Sequence, residues 1–442
     1  MNRNLNNALC VTVFLFALGI RCWNAADVPP LYQSVDSWQW AITASRCELT
    51  GIPPVICKPD LMLEGDGDYV WGLSYVLQAL PVRLWPWVNS FLASLATVFV
   101  YLMGRACKLS YQGAAYAALA FTVSPLVFAR TQLYWLDTDG GILFLMTFIG
   151  GCVISDRPGN MSHLFLAIIG LAFLNTWWIG WIWYVAVLGL WLIWENWSPT
   201  LLLIPVFVLP LFTHLFYYSP VGNELMVSEL RLPSNQELVT FVMVSWLPWL
   251  ISVYGLHHIK DKRQARFLIV WWSFAYLTSM IGGMRFLMFA TIPAAIGFGQ
   301  GTDLMRVSGI RYQSILYAGS VALLCLFAWT WIPSVRYTPE MVATLKQVSD
   351  SVDTDHVIIT WWPKGNFVNY VTGRRVVTSS TTQGSERTYN VARALCARER
   401  GDTVEMYRLL NKTARGRPWV LLGETEWLGD TESISWRTMG GC

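Results

Sequence analysis

Long apolar runs separated by short polar loops occupy the first three quarters of the chain. They cover about residues 8–23, 88–103, 113–128 and 141–155. Three shorter runs lie between His163 and Tyr217, and others cover about 241–256, 267–283, 286–296 and 314–332. A helix needs about 20 apolar residues to cross a bilayer, so the pattern predicts a polytopic α-helical membrane protein. The first run could serve as a signal peptide, but Arg21-Cys22-Trp23 lacks a small-residue cleavage site, and we treat it as a span. Residues 69–87 are interrupted by Pro81, Arg83 and Pro86 and are expected along the interface rather than across it.

Charge orients these runs. Arg105 and Lys108, Arg157, the cluster Lys260, Lys262, Arg263 and Arg266, and then Arg306 and Arg311 all follow inward crossings. The positive-inside bias puts them in the cytoplasm and gives about 11–13 transmembrane helices. A transmembrane domain over 1–332 then carries large external loops at 24–87 and 218–240, and the segment around Asp137 is external. Beyond about residue 333 the pattern becomes charged and alternating. Residues 357–360 and 375–378 read as short strands, and 388–410 as a helix or helix pair. Residues 333–442 are therefore expected to form a small extracytoplasmic α/β domain. Cys47 with Cys57, and Cys396 with Cys442, are candidate disulfides in an oxidising compartment or else buried thiols.

Composition agrees. The 442 residues are 54% hydrophobic and 13% charged, against about 25% charged in soluble domains. A net charge of +3 without a basic tract interleaved with aromatics gives no reason to expect nucleic acid. The 25 tryptophans suit aromatic belts at the membrane boundary. No C-x-x-C spacing supports zinc or thioredoxin-like chemistry.

Candidate chemistry centres on Asp137-Thr138-Asp139, between two apolar runs. Two carboxylates one residue apart can share a hard divalent cation. They also serve as N-caps of the next helix. Ionisable groups at membrane segments tilt the choice toward function. Asp36 and Glu229 fall on the same external side, although Asp36 alone reads as a solvated loop acid and Glu229 could likewise be an ordinary one. Arg285, in Gly282-Gly283-Met284-Arg285-Phe286, either snorkels or offers a fork to phosphate oxygens.

Taken in order, these motifs resemble the catalytic subunit of oligosaccharyltransferase, a membrane glycosyltransferase of the C-type superfamily. The resemblance rests on Asp36 in the first external loop, Asp137 and Asp139 as a D-x-D motif, and Met226 to Glu229 as an S-V-S-E-like motif. It continues through Arg285 to Trp361-Trp362-Pro363-Lys364-Gly365, a W-W-D-Y-G-like motif. It implies that Asp36, Asp137 and Asp139 hold Mn²⁺ or Mg²⁺. Asp36 and Glu229 would be catalytic, activating and orienting the acceptor, and Arg285 would bind donor phosphate. Glu229, Trp361 and Trp362 would contact the acceptor. The implied partners are a polyprenyl-linked sugar donor, a protein or peptide acceptor and the lipid bilayer. The implied location is a bacterial or archaeal plasma membrane, ahead of the endoplasmic reticulum. Pro363 stands where the family has an Asp that reads the Ser/Thr of N-x-S/T, and proline offers no side-chain acceptor. Non-standard acceptor recognition is the expectation. The alternative is a related enzyme using a polyprenyl-monophosphate sugar or a Ser/Thr, lipid or glycan acceptor. A transporter or flippase ranks last, because the spans are nearly free of ionisable groups.

Overall fold

The protein is described here from a computed structural model, covering residues 3–23, 32, 35–49, 55–57, 72–155, 161–178, 181–195, 249–282, 285–307, 337–378 and 386–422. The chain opens with α1 (Arg3–Cys22), α2 (Val35–Arg46), the antiparallel pair β1 (Cys47–Leu49) and β2 (Val55–Cys57), and α3 (Gly72–Gln78). Then come α4 (Trp85–Ala106), α5 (Tyr111–Thr122), the short α6 (Pro125–Phe128), α7 (Asp139–Ser155), α8 (Met161–Trp177) and α9 (Trp181–Trp194). After a helical stretch over 249–257, α10 (Lys262–Gly282) and α11 (Arg285–Val307) follow. The C-terminal part runs α12 (Pro339–Ser351), β3 (Val357–Thr360), α13 (Trp362–Thr372), α14 (Glu386–Glu399), α15 (Thr403–Ala414) and β4 (Trp419–Leu422).

Among the described residues, Asn4–Cys22 and Val82–Ala106 are long and apolar enough to cross a membrane. Three shorter apolar helices cover Asp139–Ser155, Ser162–Trp177 and Trp181–Trp194. At about 1.5 Å rise per residue, these shorter helices are about 21 to 26 Å long, short of a bilayer's hydrocarbon thickness of about 30 Å. The helices α10 and α11 have the length, at 21 and 23 residues, but carry charged residues near their ends.

The chain divides into two units. The first comprises residues 1–26, 86–218 and 229–334. In it α11 packs against α5 and α10, and α7 against α8. Asp303 on α11 accepts from the Ser110 backbone N–H at 2.6 Å and contacts Ser110 Oγ at 2.5 Å, tying α11 to the N-terminus of α5. Small residues let helices meet closely. A Cβ at Gly255 would lie 1.8 Å from the Gly297 carbonyl oxygen, so these backbones touch.

The second unit comprises residues 27–85, 219–228 and 335–442. Here β3 and β4 pair in parallel, Val357 opposite Trp419 through Thr360 opposite Leu422. The expected strand at 375–378 is reduced to one bridge, Val376 to Ile358. The expected helix pair forms as α14 and α15, which pack together over a core of Val391, Leu395, Leu409 and Leu410. Asp402 caps α15 through Glu405 N. Cys47 and Cys57 face each other across β1 and β2. Cys396 is disulfide-bonded, and its expected partner Cys442 lies outside the described residues.

Candidate functional site

The Asp137–Asp139 segment is a tight connection between α6 and α7. Ser124-Pro125 starts α6, since proline is accommodated in a helix's first turn. The chain then turns through Ala129 to Thr138, with Tyr134 held at φ +66°. A bulky side chain in that left-handed region persists only where the surroundings over-determine it. Asp139 begins α7, where its negative charge meets the positive end of the helix dipole. Asp139 is fully buried, and Arg130 Nη1 donates to its Oδ2 at 2.8 Å. Asp137 is 7% exposed, and its Oδ1 accepts from the Thr138 backbone N–H at 2.6 Å.

Two neighbouring helices brace this turn. From α4, Asn89 Nδ2 donates to the carbonyls of Arg130 (2.8 Å) and Trp135 (2.5 Å), and Asn89 Oδ1 accepts from Gly140 N at 2.6 Å. From α8, the Trp177 indole N–H donates to the Thr138 carbonyl at 2.9 Å. A Cβ on Gly140 would sit 2.3 Å from Asn89 Oδ1, and one on Gly141 2.0 Å from the Trp177 ring. The Gly-Gly after Asp139 is therefore a requirement of close approach. At the end of α1, buried Arg21 donates to Thr131 Oγ1 at 2.9 Å, and its carbonyl accepts from Leu133 N at 3.1 Å.

Asp137 and Asp139 are thus brought together with Arg130, Asn89 and Trp177, none of which the motif reading singled out. Asn89 and Arg130 carried a faint signal, as polar residues beside long apolar runs. Asp36 lies on α2 in the second unit, and Arg285 is the first residue of α11 in the first; the side chains of both are outside the described residues. Glu229 is outside them altogether.

Trp361 caps the N-terminus of α13 and is fully buried in the core of the second unit, so its ring presents no open stacking face. Trp362 packs partly buried against that core. Pro363 falls in the first turn of α13, and its carbonyl accepts from Tyr337 Oη at 3.0 Å. Lys364 is 3% exposed, with Nζ 4.7 Å from the Tyr337 ring centre. In the same unit Trp38 of α2 packs against Tyr337, Phe367 and Tyr370. Ligand atoms of Asp353, Asp355 and His356 lie within 4.8 Å of one another. This cluster is largely exposed and shows no second sign of a ligand.

No family model and no curated protein sequence matches the chain. Solved structures do. An archaeal oligosaccharyltransferase, AglB from Archaeoglobus fulgidus in complex with an inhibitory peptide and a dolichol-phosphate, superposes with a TM-score of 0.74 at 11% identity. The match covers 99% of this chain and 71% of that one. The chain has the oligosaccharyltransferase fold. A second structure of the Archaeoglobus fulgidus enzyme, tethered to an acceptor peptide containing an NVT sequon, gives 0.73 at 12% identity over 93% of this chain and 68% of that one. ArnT from Cupriavidus metallidurans gives 0.51 at 12% identity over 86% and 87%. The family resemblance drawn from the motifs and the oligosaccharyltransferase fold therefore agree.

Within this fold, Asp137 and Asp139 suit a divalent cation by donor chemistry, since both offer hard carboxylate oxygens at a nearly dry position. Each carboxylate has about four lone-pair directions, so a guanidinium on Asp139 Oδ2 does not by itself exclude a cation from the same group. Arg130 also offsets part of the negative charge of the turn.

Proposed function

We propose that the chain is a metal-dependent glycosyltransferase of the oligosaccharyltransferase type, moving a glycan from a polyprenyl-(pyro)phosphate donor to a protein acceptor on the extracytoplasmic face of a bacterial or archaeal plasma membrane. The observation that carries this reading is the buried Asp137–Asp139 turn, braced by Asn89, Arg130 and Trp177, in a chain with the oligosaccharyltransferase fold. The fold neighbours support the partners in kind, since one structure holds a dolichol-phosphate and another an acceptor peptide. The disulfide at Cys396 supports an oxidising location for the second unit.

In this reading Asp36, Asp137 and Asp139 hold Mn²⁺ or Mg²⁺, which when bound supplies Lewis-acid stabilisation of the departing phosphate. Arg285 opens a helix, so its guanidinium and the positive end of that helix act together on phosphate oxygens. Glu229 orients the acceptor group, and Asp36 shares in activating it. Trp362, only partly buried, is left to contact the acceptor, while Trp361 is packed in the core. The low dielectric around Asp139 strengthens each charged contact. Purified chain, lipid-linked donor and a fluorescent acceptor peptide should give glycopeptide with Mn²⁺ and none after chelation. Turnover that survives both chelation and Asp139→Asn would refute the proposal.

A second reading keeps the enzyme class and changes the acceptor or donor. Pro363 favours it, because this position has no side chain to accept a hydrogen bond from a Ser or Thr hydroxyl. Products from a panel of peptide, hydroxyl and glycan acceptors, and of mono- and pyrophosphate donors, separate the two by mass.

A further inference from the structure

Asn89 makes three hydrogen bonds that enclose the turn carrying the two carboxylates. Its amide nitrogen reaches the carbonyls of Arg130 and Trp135, on either side of the left-handed Tyr134. Its amide oxygen reaches Gly140 N, the residue directly after Asp139. Gly140 N is one of the N–H groups that a helix cannot satisfy internally at its start, so Asn89 caps α7 from another helix. Only an amide side chain supplies two donors and an acceptor in one planar group. Asn89 itself is fully buried and belongs to α4, a continuous helix of 22 residues.

We infer that Asn89 is the positioning residue that sets the spacing and orientation of Asp137 and Asp139, and with it their affinity for a divalent cation. This rests on the metal-dependent reading above. Asn89 bonds to neither carboxylate; it fixes the main chain before Asp137 and after Asp139. The backbone of Arg130 is held by the same amide, so the partner of Asp139 is placed by Asn89 as well. Ser90, the next residue of α4, adds a bond from Oγ to the Thr131 carbonyl at 2.8 Å, further from the acids. Residues that orient ligand groups of a metal site typically account for about 10–100-fold in affinity.

The test is a Mn²⁺ titration of the full-length, detergent-purified protein, following free Mn²⁺ by electron paramagnetic resonance and unfolding by tryptophan fluorescence. Wild type should show one site that Asp137→Asn and Asp139→Asn abolish. Asn89→Ala should keep the full stoichiometry but weaken the dissociation constant by about 10–100-fold. Asn89→Asp separates positioning from charge. It retains the acceptor for Gly140 N and loses both donors, so positioning predicts weaker binding, whereas added negative charge alone predicts tighter binding. Thr97→Val, which removes a buried hydroxyl on α4 bonded to the Ala93 carbonyl and to Thr122 of α5, should leave the constant unchanged. Unaltered affinity in Asn89→Ala, a fall in stoichiometry without a change in affinity, or tighter binding in Asn89→Asp would overturn the inference alone. Absence of any Asp137- and Asp139-dependent site in wild type would overturn the metal-dependent reading and this inference together.

Discussion

Asp139 carries a charge in a place where no charge would stay alone, and Arg130 is the reason it can. Removing one partner of a buried ion pair costs about 3–5 kcal/mol, because the other is left uncompensated. The Arg130 side chain is 18% exposed, so the low end of that range applies. Arg130→Gln should lower the melting temperature measurably, and Asp139→Asn in the same background should recover most of the loss. Equal melting temperatures for Arg130→Gln and wild type would remove the pair from the account. Added Mn²⁺ should raise the melting temperature of Arg130→Gln more than that of wild type, since a ligand that binds only the native state stabilises it. Asn411-Lys412-Thr413 has the form of a glycosylation acceptor, yet it is helical. Asn411 Oδ1 accepts from the Trp419 indole at 2.7 Å, and Thr413 is buried with Oγ1 on the Leu409 carbonyl. Expression in a glycosylating host should give the same gel mobility for wild type and Asn411→Gln. The triplet was legible as letters, but its helical pairing depends on a tryptophan that sequence spacing could not place beside it.

At the scale of elements, the apolar, β-branched run at 357–360 and the amphipathic stretch at 388–410 were readable from local composition and periodicity as β3 and the α14–α15 pair. The segment 375–378 has the same composition as a strand but gains only one bridge, since pairing belongs to the partner strand and not to the segment. The two aspartates were legible as a motif, whereas Asn89 was not, because its bonds join α4 to a turn 41 to 51 positions away, and Arg130 was not, because its pairing with Asp139 depends on how that turn closes. The α4, α7 and α8 contacts around that turn leave no room at Gly141. Gly141→Ala should therefore push Trp177 off the Thr138 carbonyl and loosen the start of α7. A cost of about 1–3 kcal/mol is expected for overpacking, with loss of glycosyl transfer. Gly189→Ala, on α9, has nothing within 4 Å of the new methyl and should be close to neutral. Similar behaviour of the two variants in thermal unfolding would mean that the turn is not tightly packed.

For the whole molecule, the decisive quantity is the side of the membrane on which the Asp137–Asp139 turn opens. The fold neighbours make the chain a membrane-type architecture, and charge bias then supplies the orientation. The positive-inside bias predicts that the cluster Lys260, Lys262, Arg263 and Arg266, at the start of α10, lies inside. A disulfide at Cys396 predicts that the second unit lies outside. These are independent arguments, one from the energetics of moving cations across a bilayer and the other from redox chemistry, and they must agree. Alkaline phosphatase fused after residue 422 should be active in a bacterial host, and the same reporter inserted after Asp261 should be inactive. Should the reporter after Asp261 be the active one, Asp137 and Asp139 would face the cytoplasm, and a donor and acceptor outside could not reach them.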